Sequence, residues 1–491
     1  MKGLVVAANR LPVEVSADGR LNPSPGGLAS ALSSVTAAGT QWVGWAGPEA
    51  ARPKPFDHGD LRLHPVSLSS DEVDRYYRGF SNAVLWPLFH GRLRRVELNR
   101  SWWNSYRVVN RRFASAVAQI APLGGTVWVH DYHLLLAPAM IREKRPDLRI
   151  GLFLHIPFPN AQLFAMLPWR REVIKGMLGA DVVGFQVTED VDNFVAAAKR
   201  LVDPRMVGST LIDGSHSVDV DAFPISVDFA SWNALGDAAA EPALANRQEL
   251  AVESVLLGID RLDYTKGISQ RLRAFGELLD QGLLDTEQCA FVQVAVPSRS
   301  DVAAYEDERD EVEQLVDRIN VKHRRRNGSM PVRYIDYSLD EQQMAAWFRA
   351  ADALVVTSLA DGMNLVAKEF VAARGDLGGA LVLSEFAGAA QDLDGALIVN
   401  PYDIEDIKQA VLQAIQMPVA ERAARLRTMR AAVRHNDVHR WARTFLTRLE
   451  SSASNRTDDL LLRPAGGDLA TRRDLANRRG LHSKLVETIP S

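Results

Sequence analysis

The sequence predicts an α/β fold of two doubly wound, Rossmann-like domains that face each other across a cleft. Short apolar runs alternate with amphipathic segments such as 301–323, and most of the runs are continuously apolar, as in parallel strands buried on both faces. At 491 residues the chain is too long for a single hydrophobic core. The strand candidates are residues 4–8, 127–130, 150–155, 182–186, 255–259, 290–296, 332–335, 353–358, 380–384 and 396–399.

The alternation of strands and helices restarts after Phe223-Pro224-Ile225. This restart predicts a first domain over residues 1–224 and a second over residues 225–435. Just after the restart, the Ala-rich segment 236–247, which contains Pro242, is predicted to be a surface connection.

The end of the chain changes character. Residues 455–491 are polar, with scattered Arg-Arg pairs, and few of them could enter a core. We predict a poorly ordered tail containing at most a short helix. A partner-binding arm is the alternative interpretation.

Composition excludes several classes of function. Hydrophobic content of 47%, charged content of 24% and a net charge of −4 are typical of a globular protein without affinity for nucleic acid or an anionic membrane. Cys289 is the only cysteine and lies in an apolar run, so disulfides are excluded and a reducing cytoplasm is expected. The apolar run at the N-terminus is too short for a signal peptide and predicts a first strand.

Familiar cofactor and metal motifs are missing from the sequence. No Gly-x-Gly-x-x-Gly follows a strand candidate, and neither a phosphate-loop Gly-Lys-Ser/Thr nor a His-Glu-x-x-His occurs. Asp-x-Asp occurs at Asp190/Asp192, Asp219/Asp221 and Asp392/Asp394, and such a pair can hold a divalent cation. Because this short pattern recurs by chance and the three pairs share no context, we interpret them as solvated carboxylates and predict no metal site and no cofactor.

The most informative segment surrounds residue 361. A β-branched apolar run stops at Asp361-Gly362, and an amphipathic helix begins near Asn364. Because the start of a helix offers unpaired N–H groups and partial positive charge, this turn is a natural seat for a phosphate. Glu369 lies a little over one turn into the helix, where its carboxylate could accept hydrogen bonds from ribose hydroxyls. Taken alone, the segment is better explained as an ordinary strand-to-helix turn, and only the matching parts elsewhere in the chain favour a ligand site.

Further polar loops follow other strand candidates, and ligands of open α/β sheets bind beyond the carboxyl ends of strands. Each residue alone has an ordinary structural explanation, but together the loops supply four cations, which suit phosphates, and carboxylates and a histidine, which suit sugar hydroxyls. The combination predicts glycosyl transfer from a nucleotide sugar. The residues are Arg10, Arg261, Lys266 and Arg299 with Asp131, His155, Asp361 and Glu369, and a Gly26-Gly27 turn follows the first loop.

Long motifs in a fixed order make the chain resemble the trehalose-6-phosphate synthases, retaining glycosyltransferases of the GT-B fold. The resemblance covers about residues 3–450. The motifs are Ala-Asn-Arg-Leu-Pro, Pro-Gly-Gly-Leu, Tyr-Tyr-Arg-Gly-Phe-Ser-Asn-Ala-Val-Leu-Trp-Pro, Val-His-Asp-Tyr-His-Leu-Leu, Phe-Leu-His-Ile-Pro-Phe-Pro, Asp-Arg-Leu-Asp-Tyr-Thr-Lys-Gly, Asp-Gly-Met-Asn-Leu-Val-Ala-Lys-Glu-Phe and Leu-Ser-Glu-Phe-Ala-Gly-Ala-Ala.

The resemblance implies transfer of glucose from an NDP-glucose, by preference UDP-glucose, to glucose 6-phosphate, giving α,α-trehalose 6-phosphate. It also implies a last helix, about residues 436–452, that crosses back to the first domain, and attack on the same face as the leaving phosphate. The implied donor-binding residues are Gly26, Gly27, His155, Arg261, Lys266, Asp361, Gly362, Met363, Asn364, Leu365 and Glu369. The implied acceptor-binding residues are Arg10, Tyr77, Trp86, Asp131 and Arg299. Asp131, His155, Arg261, Lys266 and Asp361 are the implied catalytic set.

One position departs from the family pattern. Many members carry Arg before the Asp-Gly-Met-Asn motif, where this chain has Ala360, so the base of the donor nucleotide (UDP, GDP or ADP) stays open. An enzyme with another acceptor, such as a glucosylglycerol-phosphate synthase or a cyclitol-joining enzyme, and a catalytically silent sugar-phosphate sensor are the alternatives. We also expect a homo-oligomer, either a dimer or a tetramer.

Overall fold

The computed structural model describes residues 3–16, 20–24, 32, 35, 39–47, 54–93, 96–297 and 303–461. Within these ranges the strands form two large sheets and one small hairpin, β2 (Val13–Val15) with β3 (Leu21–Pro23). Helices separate most of the consecutive parallel strands, as the sequence predicts for an α/β fold, although β4 and β6 are joined through β5.

The first sheet has ten strands in the order β10-β11-β12-β9-β8-β7-β1-β4-β6-β5. Its central strands are parallel, and antiparallel pairs occur at both edges. The strands are β1 (Leu4–Arg10), β4 (Gln41–Trp45), β5 (Phe56–His58), β6 (Leu61–Val66), β7 (Thr126–His130), β8 (Arg149–Phe153), β9 (Val182–Phe185), β10 (Arg205–Val207), β11 (Thr210–Asp213) and β12 (His216–Ala222).

The second sheet has six strands, all parallel, in the order β15-β14-β13-β16-β17-β18. This is the doubly wound order in which the first strand lies in the middle. The strands are β13 (Ser254–Arg261), β14 (Cys289–Val296), β15 (Val332–Ile335), β16 (Ala353–Val356), β17 (Ala380–Ser384) and β18 (Leu397–Val399).

The helices of the described residues follow in chain order. They are α1 (Ser70–Glu72), a π-helix (Val73–Leu85), α2 (Trp86–Phe89), α3 (Arg100–Ile120), a 3-10 turn (Tyr132–Leu134), α4 (Ala137–Lys144), α5 (Ala161–Phe164), α6 (Arg170–Met177), α7 (Thr188–Val202), α8 (Phe229–Ala238), α9 (Ala240–Leu250), α10 (Ile268–Asp280), α11 (Ala303–Lys322), α12 (Glu341–Ala350), α13 (Leu365–Ala373), a second 3-10 turn (Gly388–Gln391), α14 (Ile404–Gln416), α15 (Val419–His435) and α16 (Val438–Leu461).

Each large sheet reverses its winding direction at one point. In the first sheet the reversal lies between β1 and β7, and in the second it lies between β13 and β16. Because the connections leave these neighbouring strands in opposite directions, a crevice opens beyond their carboxyl ends. Among the candidate residues, Arg10 ends β1 and Asp131 follows β7, while Lys266 and Asp361 lie in the loops after β13 and β16. Topology therefore places both sets at switch points.

The predicted surface connection at 236–247 is wrong, because the structure has α8 and α9 there with only Ala239 between them. Alanine has the highest helix propensity, and Pro242 stands in the first turn of α9, where proline is tolerated. Ala243 and Leu250 are buried in the core of the second sheet. Burial in the tertiary structure thus stabilises two helices whose weak amphipathic pattern, taken alone, predicts a loop.

Other sequence predictions differ at the edges of elements. The strands β4 and β6 were not among the candidates, although both pair in parallel in the first sheet. The predicted helix 301–323 is α11, and its first two positions lie outside the described residues. The predicted tail boundary at 455 falls inside α16, while positions 462–491 lie outside the described residues. The domain limits at 224 and 435 stay a prediction.

The last helix packs on the first sheet, although it follows the strands of the second. The rings of Trp441 and Phe445 contact Trp128 of β7, with ring centroids 4.9 and 5.0 Å apart. Gly151 of β8 and Gly184 of β9 make room for Phe445, because a Cβ at either position would collide with its ring. The crossing of α16 brings a tryptophan close to the residues that follow β7 and β8.

Candidate active site

At the second switch point, Lys266 and Asp361 form an ion pair. The ammonium of Lys266 lies 2.5 Å from Oδ2 of Asp361, and both side chains are only 13% exposed. Burial alone would raise the pKa of Asp361, but the charge of Lys266 and hydrogen bonds from Lys266 and Asn364 outweigh burial and lower it. The carboxylate is therefore charged at neutral pH, beside a cation that keeps further donor capacity.

The N-terminus of α13 opens next to this ion pair. Asn364 caps the helix by accepting a hydrogen bond from the N–H of Ala367 at 3.0 Å, and its own amide donates to Oδ2 of Asp361 at 3.1 Å. Asn364 has φ 74°, a left-handed conformation that asparagine adopts more readily than most residues. The turn therefore presents backbone N–H groups and the positive end of the helix dipole beside Lys266.

Glu369 lies on α13 with an unsatisfied carboxylate oxygen. Its Oε2 is buried and has no hydrogen-bond partner among the described residues. Burial, reinforced by the negative charge of Glu341, raises the pKa of Glu369 to about 8. A buried acceptor without a donor is costly unless a ligand supplies one. The carboxylate is thus suited to a hydroxyl-bearing ligand.

Beneath the turn, a buried polar network holds the loop that follows β13. Arg271 is 1% exposed and donates to Oδ2 of Asp260 at 2.7 Å and to Oε1 of Gln293 at 2.8 Å. The hydroxyl of Thr357 donates to the carbonyl of Gly267 at 2.7 Å. Gly267 has φ 61°, and a Cβ there would collide with the carbonyl of Thr357. Backbone contacts therefore fix the position from which Lys266 extends.

At the first switch point, Asp131 occupies a strained backbone conformation. It has φ 72° and ψ 170°, a region that residues other than glycine rarely adopt and that costs about 1–3 kcal/mol. Its N–H donates to the carbonyl of Phe153 at 2.8 Å, and its Oδ1 accepts the backbone N–H of His155 at 3.2 Å. These bonds hold Asp131 against the loop that follows β8, so the predicted pair of Asp131 and His155 is brought together.

Arg10 lies at the end of β1 among aromatic rings. Its guanidinium carbon is 4.8 Å from the ring centroid of Trp45 and 5.3 Å from that of Tyr77, and it forms an ion pair with Glu14. Tyr77 in turn stacks on His133, with centroids 5.8 Å apart. Trp45 was not a sequence candidate, because β4 was not recognised as a strand; the two tryptophans of Gln-Trp-Val-Gly-Trp were the available signal.

The side chain of Trp86 contacts residues at strand ends of both large sheets. Its ring lies 5.7 Å from the guanidinium carbon of Arg261, the last residue of β13, and 5.6 Å from the ring of Tyr132. The π-helix that carries Tyr77 ends at Leu85, directly before Trp86, and π-helices are frequent at functional sites. The ring of His90, one turn later, packs against that of Trp86 in a tilted arrangement, with centroids 4.2 Å apart. Burial lowers the pKa of His90 to about 4, so its ring is neutral.

The loop after β8 contacts the turn after β16 directly. A Cβ on Gly362 would collide with the carbonyl oxygen of His155, so only glycine allows this approach. The side chain of Gln186 donates to the same carbonyl at 3.5 Å and accepts from the N–H of Ile225 at 3.0 Å. The two switch points are therefore in contact through His155, which also donates its N–H to Asp131.

Three sequence candidates cannot be placed. Gly26, Gly27 and Arg299 lie outside the described residues, so their predicted roles stay predictions. The remaining donor-side candidates, Met363 and Leu365, belong to the turn and the first residue of α13, where Met363 is 3% exposed. Ala360 stands half-buried beside Asp361 and provides no cation there.

The Asp-x-Asp pairs are only partly solvated, which corrects the sequence interpretation. In each pair the second aspartate is exposed, whereas the first has a structural contact. Oδ1 of Asp190 accepts the N–H of Phe158 at 2.7 Å, Asp219 accepts from Thr210 at 2.6 Å, and Asp392 pairs with Lys368 at 2.6 Å. In the described part of the chain, no group of three or more metal-ligating side chains is found.

None of the helices in the described residues is long and apolar enough to cross a membrane. Cys289 is 2% exposed in β14, and burial raises the pKa of its thiol to about 12, so it is the buried hydrophobe that the sequence predicts.

Comparison with known proteins identifies the family. The sequence matches glycosyltransferase family 20 over residues 2–451. It is 45% identical over 479 residues to the trehalose-6-phosphate synthase of Mycobacterium marinum, covering 93% of this chain and 95% of that protein. It is also 45% identical over 472 residues to the trehalose-6-phosphate synthase of Mycolicibacterium smegmatis, covering 93% of each chain.

Solved structures agree with the sequence relatives. An α,α-trehalose-phosphate synthase (UDP-forming) from Burkholderia xenovorans in complex with glucose-6-phosphate superposes with a TM-score of 0.86 at 35% identity, covering 91% of this chain and 100% of that chain. The E. coli protein bound with UDP-2-fluoro glucose gives a TM-score of 0.84 at 34% identity, covering 91% and 98%. The chain therefore belongs to glycosyltransferase family 20, has the GT-B fold and is a glycosyltransferase.

Proposed function

We propose that this member of glycosyltransferase family 20 transfers glucose from UDP-glucose to glucose 6-phosphate, with retention, and releases α,α-trehalose 6-phosphate and UDP. The observation that carries the proposal is the contact between the two switch points. Lys266, Asp361 and the start of α13 lie on one side, and Asp131 and His155 lie directly opposite. One ligand in this cleft would meet phosphate-binding and sugar-binding groups together.

The donor diphosphate is assigned to Lys266, Arg261 and the N-terminus of α13. As the bond between sugar and phosphate breaks, negative charge grows on the leaving oxygens, and fixed positive groups aimed at that position stabilise the transition state. Lys266 is held by Asp361 before any ligand arrives, so its position needs little reorganisation. Arg261 lies over the ring of Trp86, which limits the directions open to its guanidinium.

The transferred glucose is assigned to the space between His155 and the Asp361-Gly362-Met363 turn. Asp361 accepts hydrogen bonds through Oδ2 from three neighbours, Lys266, Ser358 and Asn364, whereas no hydrogen bond to its Oδ1 is found among the described residues. Sugar hydroxyls donate well to such an oxygen. Glu369, with its buried Oε2, is assigned to the ribose of the nucleotide.

The acceptor is assigned to the first switch point. Arg10 and the predicted partner Arg299 would hold the phosphate of glucose 6-phosphate, since guanidinium groups make fork-like contacts to phosphate. The rings of Tyr77 and Trp86 would pack against the sugar, and Asp131 would accept a hydrogen bond from one of its hydroxyls. Gly26 and Gly27 keep their predicted role as a turn that closes on the donor.

The direct test offers the chain each NDP-glucose in turn with glucose 6-phosphate, and UDP-glucose with glycerol 3-phosphate or a cyclitol as alternative acceptors. Products are identified by mass and by NMR of the glycosidic linkage. We expect an α,α-linked disaccharide phosphate with UDP-glucose. Faster turnover with another acceptor would replace the proposal, and no transfer from any donor would favour a sugar-phosphate sensor.

The proposal also includes a cellular location and an oligomeric state, both of which are expectations from the sequence. A cytoplasmic location fits the single cysteine, and a dimer or tetramer is expected. Fractionation of the source cells and light scattering of the purified chain test them separately.

A further inference from the structure

Two imidazoles lie in contact behind the sugar-facing loop. Nδ1 of His130, the last residue of β7, is 3.1 Å from Nε2 of His155, and the rings stack with centroids 5.3 Å apart. His130 is fully buried, whereas His155 is half-buried. Since Nε2 of His155 is engaged by His130, only Nδ1 of His155 is left to meet a ligand. The proposed function uses His155 and assigns nothing to His130.

Three buried nitrogen atoms near this pair lack hydrogen-bond partners among the described residues. They are Nε2 of His130 and the indole nitrogens of Trp128 and Trp441. The ring of His130 lies 4.6 Å from that of Trp128 and 6.4 Å from that of Trp441. An indole nitrogen can only donate, whereas a neutral imidazole carries one donor and one acceptor. The balance of donors around His130 therefore depends on its tautomer.

Two arrangements of the protons are conceivable. If His155 donates through Nε2–H, then His130 carries its proton on Nε2, and three N–H donors are buried together without an acceptor. If His130 donates through Nδ1–H, its Nε2 keeps a lone pair and is an acceptor beside the two indole donors. None of the three nitrogen atoms is hydrogen-bonded to a described residue in either arrangement, but the first gathers three N–H dipoles of the same sign, whereas the second places a lone pair beside two N–H groups. The second arrangement is therefore favoured electrostatically in this buried, low-dielectric surrounding. Burial lowers the pKa of His130 well below its ordinary value and that of His155 to about 3, so both rings are neutral at pH 7.

We propose that His130 is a positioning residue, which donates its Nδ1–H to Nε2 of His155 and thereby fixes His155 as the Nδ1-protonated tautomer. His155 then presents a hydrogen-bond donor, not an acceptor, to the ligand in the cleft. Trp441 contributes from α16, because its ring lies near both imidazoles, with centroids 6.1 Å from that of His155 and 6.4 Å from that of His130. The ligand assigned here, an oxygen of the transferred sugar, rests on the proposed function, but the tautomer does not.

The tautomer is measured on the full chain by NMR. The probe is a two-bond 1H–15N correlation spectrum with 15N-labelled histidine at neutral pH, and His155→Gln identifies the signals of His155. We expect a protonated Nδ1 and an unprotonated Nε2 for His155 in the ligand-free protein. A protonated Nε2, or a mixture of tautomers, would overturn the proposal whatever the protein catalyses.

Variants at His130 test whether this residue sets the tautomer of His155. His130→Asn keeps an N–H near the place of Nδ1 and should preserve the tautomer, whereas His130→Leu removes the donor and should give a mixture. A pure Nδ1-protonated His155 in His130→Leu would show that His130 does not set the tautomer. If His130→Leu does not fold, the wild-type spectrum and His130→Asn still decide.

The kcat of variants at His155 gives a second test of a hydrogen-bond donor at Nδ1. An Asn side chain places its amide N–H near the position of Nδ1, and Gln places it near Nε2. We expect His155→Asn to retain about tenfold more kcat than His155→Gln, the value of one hydrogen bond, with the KM for the acceptor unchanged. Equal losses in the two variants would contradict a donor at Nδ1. If no glycosyl transfer is found at all, the spectra alone test His130, and only the function fails.

Discussion

The two halves of the cleft are built by different means. Around Lys266, Asp361 to Leu365 and Glu369, which we call the donor face, backbone geometry fixes the polar groups: Gly267 and Asn364 have positive φ, and Gly362 touches a carbonyl. The proposed function assigns Arg10, Tyr77, Trp86 and Asp131 to the acceptor, and we call them the acceptor face. There the aromatic rings of Trp45 and Tyr77 flank Arg10, and of the four residues only Asp131 has an unusual backbone.

The difference has a physical cause. A diphosphate is recognised through a helix N-terminus and close backbone approach, and both require a preformed turn. A sugar phosphate offers a hydrophobic ring face and a terminal charge, which flat aromatic rings and a guanidinium can match without a special backbone. The donor face should therefore be intolerant of small backbone changes, and the acceptor face should be sensitive mainly to loss of charge.

The largest effect is expected on the donor face. Lys266→Met should lower kcat about a hundred- to a thousandfold, because it removes a fixed positive charge from the leaving group. Steady-state kinetics measures it, with Lys322→Met as the control, since Lys322 forms an exposed ion pair with Asp280 at 2.6 Å. A variant at Lys266 with nearly normal kcat would show that this charge acts only in folding.

Gly362→Ala tests how tightly the two faces must meet. The added Cβ would collide with the carbonyl of His155, and overpacking of this kind costs about 1–3 kcal/mol. We expect kcat to fall about tenfold to a hundredfold and Tm to fall by several degrees. Gly276→Ala is the matched control, because its Cβ would approach only the side chain of Ile319, at 3.2 Å. Normal values for Gly362→Ala would show that the cleft opens freely at this contact.

On the acceptor face, Arg10→Ala should raise the KM for glucose 6-phosphate about tenfold to a hundredfold, the value of a charge-assisted hydrogen bond. The KM for UDP-glucose should change little. Arg62→Ala removes an exposed arginine near the start of β6, at the opposite end of the parallel strands from Arg10, and serves as the control. Equal changes in both KM values would place Arg10 outside the acceptor phosphate site; Arg299→Ala is predicted to behave as Arg10→Ala does.

The smallest effect concerns stability and pH on the donor face. Because the pKa of Glu369 is raised from 4.5 to about 8, the folded chain binds this proton more tightly than the unfolded chain. Its contribution to stability is therefore greatest at acid pH and declines as the pH rises through this interval. Glu369→Gln should raise the Tm of the ligand-free protein above pH 8, with a gain that shrinks towards pH 5.

Thermal scans across that range measure the gain, and Glu241→Gln, on the exposed side of α9, is the control. A gain independent of pH would mean that the carboxyl of Glu369 keeps one protonation state in both forms.

Several features followed from the sequence because their signals are local. Continuous apolar runs identified the buried parallel strands, and the Asp361-Gly362 stop before Asn364 identified the start of α13. The ends of the strands are recognisable from hydrophobicity alone, so the charged residues that lie at those ends could also be identified from the sequence. Long motifs then supplied the family.

Other features depended on tertiary structure, because they join residues that no local pattern connects. The short strands β4 and β6 are recognisable mainly by their partners in the sheet, and burial against the second sheet holds α8 and α9 as helices. The contact of Arg261 with Trp86 spans 175 positions of sequence, from 86 to 261, and the approach of Trp441 to His155 needs α16 to cross between the sheets. The sequence by itself determined which groups carry charge and where strands end. Packing alone decided which of those groups touch, which protons are buried, and that Oε2 of Glu369 has no hydrogen-bond partner among the described residues.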